Sequence, residues 1–73
     1  MLDKNIVIRS EFITLAQLLK FADVISSGGQ AKDFLANNTI VINGQNDNRR
    51  GRKLYPGDKV IVNNDICLTL IKN

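Results

Sequence analysis

The chain has 73 residues, of which 44% are hydrophobic, 23% are charged and 5% are aromatic. A chain of this size supports one small core, and we expect a single domain over residues 1–73. It contains no histidine and one cysteine, so Ser-His-Asp triads, Cys-His pairs and the common zinc sites cannot be assembled from it. We therefore expect a protein that is not an enzyme and that has no metal or cofactor site.

Cysteine content and hydrophobic pattern bear on the cellular compartment. The lone cysteine, Cys67, cannot form an internal disulfide, which favours a reducing compartment. The longest apolar run near the start is Ile6–Ile8, far short of a signal-peptide core. No run approaches the roughly 18 apolar residues of a membrane span. The sequence predicts a cytoplasmic protein without a membrane partner.

The first two predicted elements are a strand and a helix. Residues Asn5–Arg9 are rich in β-branched side chains, which predicts a short strand. Four apolar residues then follow at helical spacing: Leu15, Leu18, Leu19 and Ala22. Thr14 and Gln17 have the spacing of a capping box, in which two side chains satisfy backbone donors of the first turn. We predict a helix over Thr14–Ala22.

A glycine-rich turn separates this helix from a second one. Residues Asp23–Gly29 end in two glycines, which together cost about 2 kcal/mol in a helix relative to alanine. Ser27 and Gln30 repeat the capping-box spacing, and the apolar residues that follow predict a short helix. Asn37 and Asn38 end it, since asparagine tolerates the left-handed backbone at a helix C-terminus.

From Thr39 onward the sequence predicts β-structure. Asn43-Gly44 predicts a hairpin turn, because both turn positions need positive φ. Pro56–Asp58 and Asn63–Asp65 predict two further turns. The predicted strands are Thr39–Ile42, Lys59–Val62 and Ile66–Ile71, and the polar loop is Gln45–Lys53. The fold expected is α+β, with a two-helix hairpin packed on a small, mainly antiparallel β-sheet.

The positive charge is concentrated in one loop. The chain has ten Lys and Arg against seven Asp and Glu, and removing the four in residues 49–53 leaves six against seven. A guanidinium group can bind two phosphate oxygens at once through a pair of hydrogen bonds, and Gly51 lets the backbone come close to a ligand. The candidate contacts to an anionic partner are Arg49, Arg50, Arg52 and Lys53. The alternative is a solvated loop that maintains solubility or protects a sheet edge.

The start of the second helix is another candidate anion site. Small residues expose backbone N–H groups there, and the helix dipole attracts negative charge. The candidate residues are Ser26, Ser27, Gly28, Gly29, Gln30 and Lys32. The alternative is an ordinary capped helix whose glycines only permit a tight turn. The spacing of a Walker loop is absent, so nucleotide triphosphate binding gets little support.

Several other residues have simple structural explanations. Lys20, near the end of the first helix, complements the helix dipole without any ligand. Asp47 and Asp58 lie in turns, where aspartate normally bonds the local backbone. Tyr55 could stack on a base, but the multi-aromatic platform of single-strand binders is missing. The phenylalanines expected in the core are Phe21 and Phe34.

The order of these features resembles a known RNA-binding family. The segments that carry the resemblance are Ile13–Lys20, Ser27–Lys32, Val41–Gly44 and Gly57–Val60. Together they resemble the RNA-binding domain named after the fourth small-subunit ribosomal protein, the S4 domain. The run Asp47–Leu54 looks like the small stand-alone bacterial branch called YaaA-like. The resemblance covers roughly residues 12–62.

This resemblance implies a fold in which two helices and an adjoining β-turn build one surface that docks structured RNA without catalysis. Asn43 and Gly44 match the family's turn that shapes this surface. By position, the implied contacts are Lys20, Ser26, Ser27, Gly28, Gly29, Gln30 and Lys32 on the helical hairpin and Arg49, Arg50, Arg52 and Lys53 in the loop. Similar stand-alone domains act on ribosomal RNA or ribosome-bound tRNA, which implies ribosome assembly or quality control.

Two other functions remain open from the residues alone. The sheet edge or the basic loop could bind an acidic protein partner instead of RNA. A DNA-binding helix-turn-helix is disfavoured, because Gln30, Lys32 and Asp33 are few base-reading side chains for a major groove. The RNA bound, the oligomeric state and any additional protein partner are not determined by the sequence.

Overall fold

The computed structural model describes residues 2–73, so Met1 of the predicted domain lies outside the described residues. In chain order the elements are β1 (Leu2–Ile8), β2 (Ile13–Thr14), α1 (Leu15–Phe21), α2 (Ala31–Asn37), β3 (Ile40–Ile42), β4 (Gln45–Asn46), β5 (Lys53–Leu54), β6 (Lys59–Val62) and β7 (Ile66–Lys72). A 3₁₀ turn at Gly28–Gln30 leads into α2.

Five of the strands form one sheet in the order β1-β7-β6-β3-β4, and β2 pairs with β5 in a separate two-stranded ladder. β1 runs parallel to β7, whereas the other pairs are antiparallel. The two helices and the mainly antiparallel sheet confirm the predicted α+β fold. Within residues 2–73, no helix has the length and apolar character that crossing a membrane requires.

Two tight turns set the register of the antiparallel strands. Asn43 and Gly44, between β3 and β4, have φ values of 51° and 87°. Asn63 and Asn64, between β6 and β7, have φ values of 53° and 57°. Positive φ at both central residues is the type I′ geometry, whose twist matches that of the flanking strands. Both predicted hairpin turns are confirmed.

The hydrophobic core joins α1 to the sheet. Leu15, Leu18 and Leu19 of α1 are fully buried, as their helical spacing predicts. Alternate residues of β6 and β7, including Val60 and Leu68, are buried with them, because successive side chains of a strand point to opposite faces. No polar or charged side chain of residues 2–73 is buried, so the core is entirely apolar.

α1 begins at Leu15 and ends at Phe21, one residue inside the predicted bounds at each end, because Thr14 and Ala22 are its caps. The Thr14 hydroxyl accepts a hydrogen bond from the Gln17 N–H at 3.3 Å, and Gln17 Oε1 accepts one from the Thr14 N–H at 2.9 Å. These two bonds confirm the predicted capping box.

α2 ends at the predicted asparagines by a different mechanism from the one expected. Asn38 has a φ of −134°, which is extended and not left-handed. Its side-chain amide donates to the Phe34 carbonyl at 2.7 Å, and that of Asn37 donates to the Asp33 carbonyl at 2.8 Å. The asparagines therefore satisfy carbonyls that have no partner in the last helical turn.

One phenylalanine expected in the core is on the surface. Phe21 is 58% exposed, because it falls outside the stripe that Leu15, Leu18 and Ala22 form at helical spacing. Phe34 is half-buried and packs against the core. The expectation of a buried Phe21 is therefore wrong.

The short pairings were not predicted. The start of β1 was also not predicted: the strand begins at Leu2 and not at Asn5. Its first residues have no alternating pattern, but they form strand because they pair with β7. β4 lies inside the predicted loop, and the β2–β5 ladder joins residues far apart in sequence. A two-residue strand is too short to show the alternation by which strands are recognised.

We expect Leu18→Ala to lower the free energy of unfolding by about 2–5 kcal/mol, because it leaves a cavity in a fully buried site. Urea denaturation measures this loss. Leu2→Ala is the matched control, because Leu2 is 55% exposed, and it should change stability by less than about 0.5 kcal/mol. Equal losses in the two variants would contradict the assignment of the core.

Candidate nucleic-acid interface

The basic loop, Asn48–Lys53, is anchored to the start of α1 through its own backbone. The Leu15 N–H donates to the Arg52 carbonyl at 2.9 Å, and the Ala16 N–H donates to the Arg50 carbonyl at 3.1 Å. These donors belong to the first turn of α1, where backbone N–H groups have no partner within the helix. The β2–β5 ladder continues the attachment beyond Arg52. The loop is therefore held against a rigid element at several points.

Asp47 holds two of the four loop cations. Its carboxylate accepts from Arg49 Nε at 3.1 Å and Nη2 at 2.8 Å, and from Arg52 Nη1 at 2.6 Å. It also accepts from the Arg49 backbone N–H at 3.0 Å, so the predicted local backbone bond is confirmed. The Asp47 side chain is 10% exposed, whereas that of Arg49 is 71% exposed. Asp47 therefore orders the guanidinium of Arg49 while most of the Arg49 side chain stays open to solvent.

The hydrogen bonds to Asp47 also fix its charge. The Arg49 side chain, then the Arg49 backbone N–H, and to a smaller extent Arg52 hold the pKa of the Asp47 carboxyl well below its usual range, against an opposing effect of burial. A carboxylate that accepts several hydrogen bonds in its ionised form is stabilised in that form. Asp47 is therefore charged at any physiological pH.

Arg50 is differently placed from the two arginines that Asp47 binds. It is exposed, and within residues 2–73 it forms no salt bridge. It lines a shallow groove of about 380 Å³ together with Lys32 and Leu35 of α2 and Asn48 of the loop. The structure thus brings cations from the two predicted sites, the loop and the second helix, to one concave surface.

The segment before α2 is fully exposed, but part of its backbone is already bonded. Gln30 Oε1 accepts from the N–H groups of Ser26 at 2.6 Å and Ser27 at 3.3 Å. The bond to the Ser27 N–H belongs to the predicted capping box of Ser27 and Gln30. Both N–H groups are therefore occupied, although the anion-site prediction expected them to be free. Gly28 and Gly29 begin the 3₁₀ turn, where N–H groups have no partner within the turn.

The two glycines of this segment are not explained by the backbone. Neither has positive φ. A Cβ on Gly28 would meet no atom within 4 Å, and one on Gly29 only the Ser27 hydroxyl at 3.8 Å. The alternative explanation was an ordinary capped helix whose glycines only permit a tight turn. The bond between the Gln30 side chain and the Ser27 N–H supports the capped helix, whereas the backbone geometry does not require glycine at either position.

Lys53 and Lys20 do not line the groove that Lys32 and Arg50 share. Lys53 Nζ is 4.9 Å from the centroid of the Phe12 ring, a cation–π contact. Lys20 is exposed in the last turn of α1, whereas the basic loop is bonded to the first turn. Lys20 is therefore the predicted contact with the weakest geometric link to the loop.

Two features of this surface were missed from the sequence. The first is the ion-pair cluster of Asp47, for which the short spacing to Arg49 is the only local signal. The second is the contact between Phe12 and Tyr55, whose ring centroids lie 5.9 Å apart at an interplanar angle of 47°. No sequence pattern connects residues so far apart along the chain.

We expect Asp47→Asn to lower the free energy of unfolding by on the order of 1 kcal/mol at neutral pH, since solvent screens the exposed Arg49 partner. Because the folded-state pKa is depressed, the stabilisation is fully present above the ordinary carboxyl pKa near 4. It is lost only as pH falls below that range. Urea denaturation over a pH series measures the difference between the two proteins.

The control for this variant is Asp65→Asn, which changes an exposed turn aspartate outside any salt bridge of residues 2–73. It should unfold like the wild type. A difference between Asp47→Asn and the wild type that vanishes already near pH 4 would contradict the depressed pKa.

Comparison with known proteins identifies the family of the chain. The sequence profile of the S4 domain matches residues 6–69. The chain is also 60% identical over 55 residues to a Bacillus subtilis (strain 168) protein named "Probable ribosome maturation protein RlbA". This alignment covers 75% of the present chain and 78% of that relative. The resemblance recognised in the sequence is confirmed: the chain belongs to the S4 domain family.

Proposed function

We propose that the protein is a non-catalytic RNA-binding module that docks structured RNA, either ribosomal RNA or tRNA on the ribosome. The observation that carries the proposal is the groove that Arg50 of the basic loop and Lys32 of α2 both line. Two cations from separate elements on one concave surface suit adjacent phosphates of a folded nucleic acid. The proposed role is in ribosome assembly or quality control, and the name of the Bacillus relative, which refers to ribosome maturation, supports assembly.

The anchored loop supports this proposal energetically. Ordering a long cationic side chain on binding costs about 0.5–1.5 kcal/mol. Asp47 already orders Arg49 and Arg52, and the bonds to α1 already order the loop backbone. A surface that is ordered before binding loses less free energy when it meets RNA. This advantage does not apply to a loop that serves only solubility.

The proposed contacts fall into groups with different chemistry. The cations bind phosphate, and the glycines offer backbone N–H groups. The N–H groups of Ser26 and Ser27 already bond Gln30, so these two serines offer their hydroxyl groups instead. The complete proposed set is Lys20, Ser26, Ser27, Gly28, Gly29, Gln30, Lys32, Arg49, Arg50, Arg52 and Lys53. Because A-form RNA hides its major-groove edges, such contacts recognise phosphate positions and helix shape more than sequence.

An acidic protein is the second candidate partner, because the same cations would attract carboxylates. Pull-down from nuclease-treated lysate separates the two candidates, since a protein partner survives the nuclease and an RNA partner does not. The match of residues 6–69 to the S4 domain favours RNA.

We expect Arg50→Glu combined with Lys32→Glu to weaken RNA binding more than about tenfold, because two phosphate contacts are replaced by repulsion. Arg49 is left intact, since its removal would break the Asp47 cluster. Binding of ribosomal RNA and tRNA at several salt concentrations measures the effect. For about four engaged phosphates, the wild type should show a slope of log affinity against log salt near −3.

The matched control is Lys4→Glu combined with Lys72→Glu, which makes the same change in net charge on β1 and β7. It should retain most of the affinity. Equal losses in the two double variants would show that only net charge matters. Sequencing of RNA crosslinked to the wild type in cells, compared with the Arg50 and Lys32 variant, would name the RNA.

The exposed glycines allow a test that changes no charge. Gly28→Ala should leave stability unchanged or slightly raised, because the new methyl group meets no atom within 4 Å. It should weaken RNA binding severalfold, because the methyl group keeps phosphate away from the backbone N–H. The control is Gly57→Ala, which should lower the thermal unfolding temperature, because Gly57 has a φ of 98°. Unchanged RNA affinity in the folded Gly28→Ala protein would remove this segment from the interface.

A further inference from the structure

Most of the aromatic side chains of this protein lie outside its core. The chain has four aromatic residues, one tyrosine and three phenylalanines. Phe21 is 58% exposed and Tyr55 is 44% exposed, while Phe12 is half-buried and contacts Tyr55. Of the four aromatic residues, all of them within residues 2–73, Phe34 is the one that packs against the core. Phe21 and Tyr55 are thus exposed in a small protein that has few aromatic residues, although burial of their rings in the core would contribute more to stability.

Phe12 and Phe21 line one groove. It has a volume of about 610 Å³, and its walls come from residues 7–13 together with Gln17 and Phe21 of α1. The walls are mostly apolar, and the size lies in the range of pockets that hold small planar ligands. Within residues 2–73, Gln17 uses only its Oε1 atom, in the capping box, so its amide hydrogens form no hydrogen bond.

The charges around the groove favour a ligand that carries phosphate. Lys53 of the basic loop lies over the Phe12 ring, and Arg9 lines the groove directly. Glu11 is the one acidic residue of the groove lining. Lys53, one of the cations proposed to bind RNA, is adjacent to the groove through its contact with Phe12.

We infer that this groove receives an unpaired base of the bound RNA, stacked on Phe21 and Phe12, with Arg9 and Lys53 on the flanking phosphates. The inference rests on the proposed RNA-binding function and narrows the ligand to structured RNA with an unpaired nucleotide beside a helix. Stacking on aromatic rings accepts every base, whereas Glu11 and Gln17 provide an acceptor and donors for the polar edge of the base.

The test uses two RNA hairpins that differ in one position, an unpaired adenosine or an abasic residue at the same place. The full chain should bind the adenosine hairpin roughly 5- to 150-fold more tightly, as stacking of one base predicts. The chemical shifts of the Phe21 and Phe12 ring protons should change in NMR spectra when the adenosine hairpin is added and should not change when the abasic hairpin is added. Equal affinity of the wild type for both hairpins would overturn the inference and leave the RNA-binding proposal intact.

Phe21→Ala provides the decisive comparison, because an exposed residue can be truncated without loss of the fold. It should lower affinity for the adenosine hairpin to that for the abasic hairpin, and Phe21→Tyr should restore it. Leu2→Ala removes an exposed apolar side chain at the far end of β1 and should change neither affinity. If Phe21→Ala lowers the affinity for both hairpins equally, the base-stacking role of Phe21 is wrong.

Two further results would overturn the inference in distinguishable ways. Failure of the wild type to bind either hairpin at NMR concentrations would overturn the RNA-binding proposal as well. Ring signals that shift with protein concentration in the absence of RNA would show that a second copy of the chain fills the groove. The expected result is ring signals that do not change with protein concentration and respond only to the unpaired base.

Discussion

The surface of this protein depends on two backbone hydrogen bonds, from the N–H groups of Leu15 and Ala16 to the carbonyls of Arg52 and Arg50. The first turn of a helix needs acceptors, and a long polar loop needs an anchor. The loop supplies carbonyl acceptors to the helix, and the helix supplies N–H donors that fix the loop. The bonds use only main-chain atoms, so the arginine side chains stay available for other contacts. Without these bonds, the loop would be held mainly by the short strands at its two ends, β4 and β5.

Asp47 has a related effect on the side chains. A carboxylate among four cations reduces the local positive charge, which by itself weakens attraction for an anion. The same carboxylate holds the guanidinium groups of Arg49 and Arg52 in defined places. Arg50 lies outside this cluster and faces the groove with Lys32. Within the described residues, the loop therefore combines two arginines ordered by Asp47 with two cations, Arg50 and Lys53, that form no salt bridge, an arrangement suited to a partner of defined shape.

Much of the fold could be predicted because its signals are local. The capping box of Thr14 and Gln17, the buried stripe of α1 and the Asn43-Gly44 turn each depend on neighbours in sequence. The pairing of β2 with β5 and the contact of Phe12 with Tyr55 depend on the completed fold, so no local pattern announces them. The exposure of Phe21 is a different case. Its hydrophobicity predicted burial, but its position on α1 lies outside the apolar stripe, so the ring is on the surface.

The parallel pairing of β1 with β7 has a consequence for the way the chain folds. Every residue of β1 pairs with a partner near the other end of the sequence, from Leu2 with Ile66 to Ile8 with Lys72. Contacts of such high sequence separation require closure of a long loop before they stabilise anything. During synthesis β1 leaves the ribosome first, yet it has no strand to pair with until β7 has followed. The last step in completing the sheet must therefore wait for translation of nearly all the described residues.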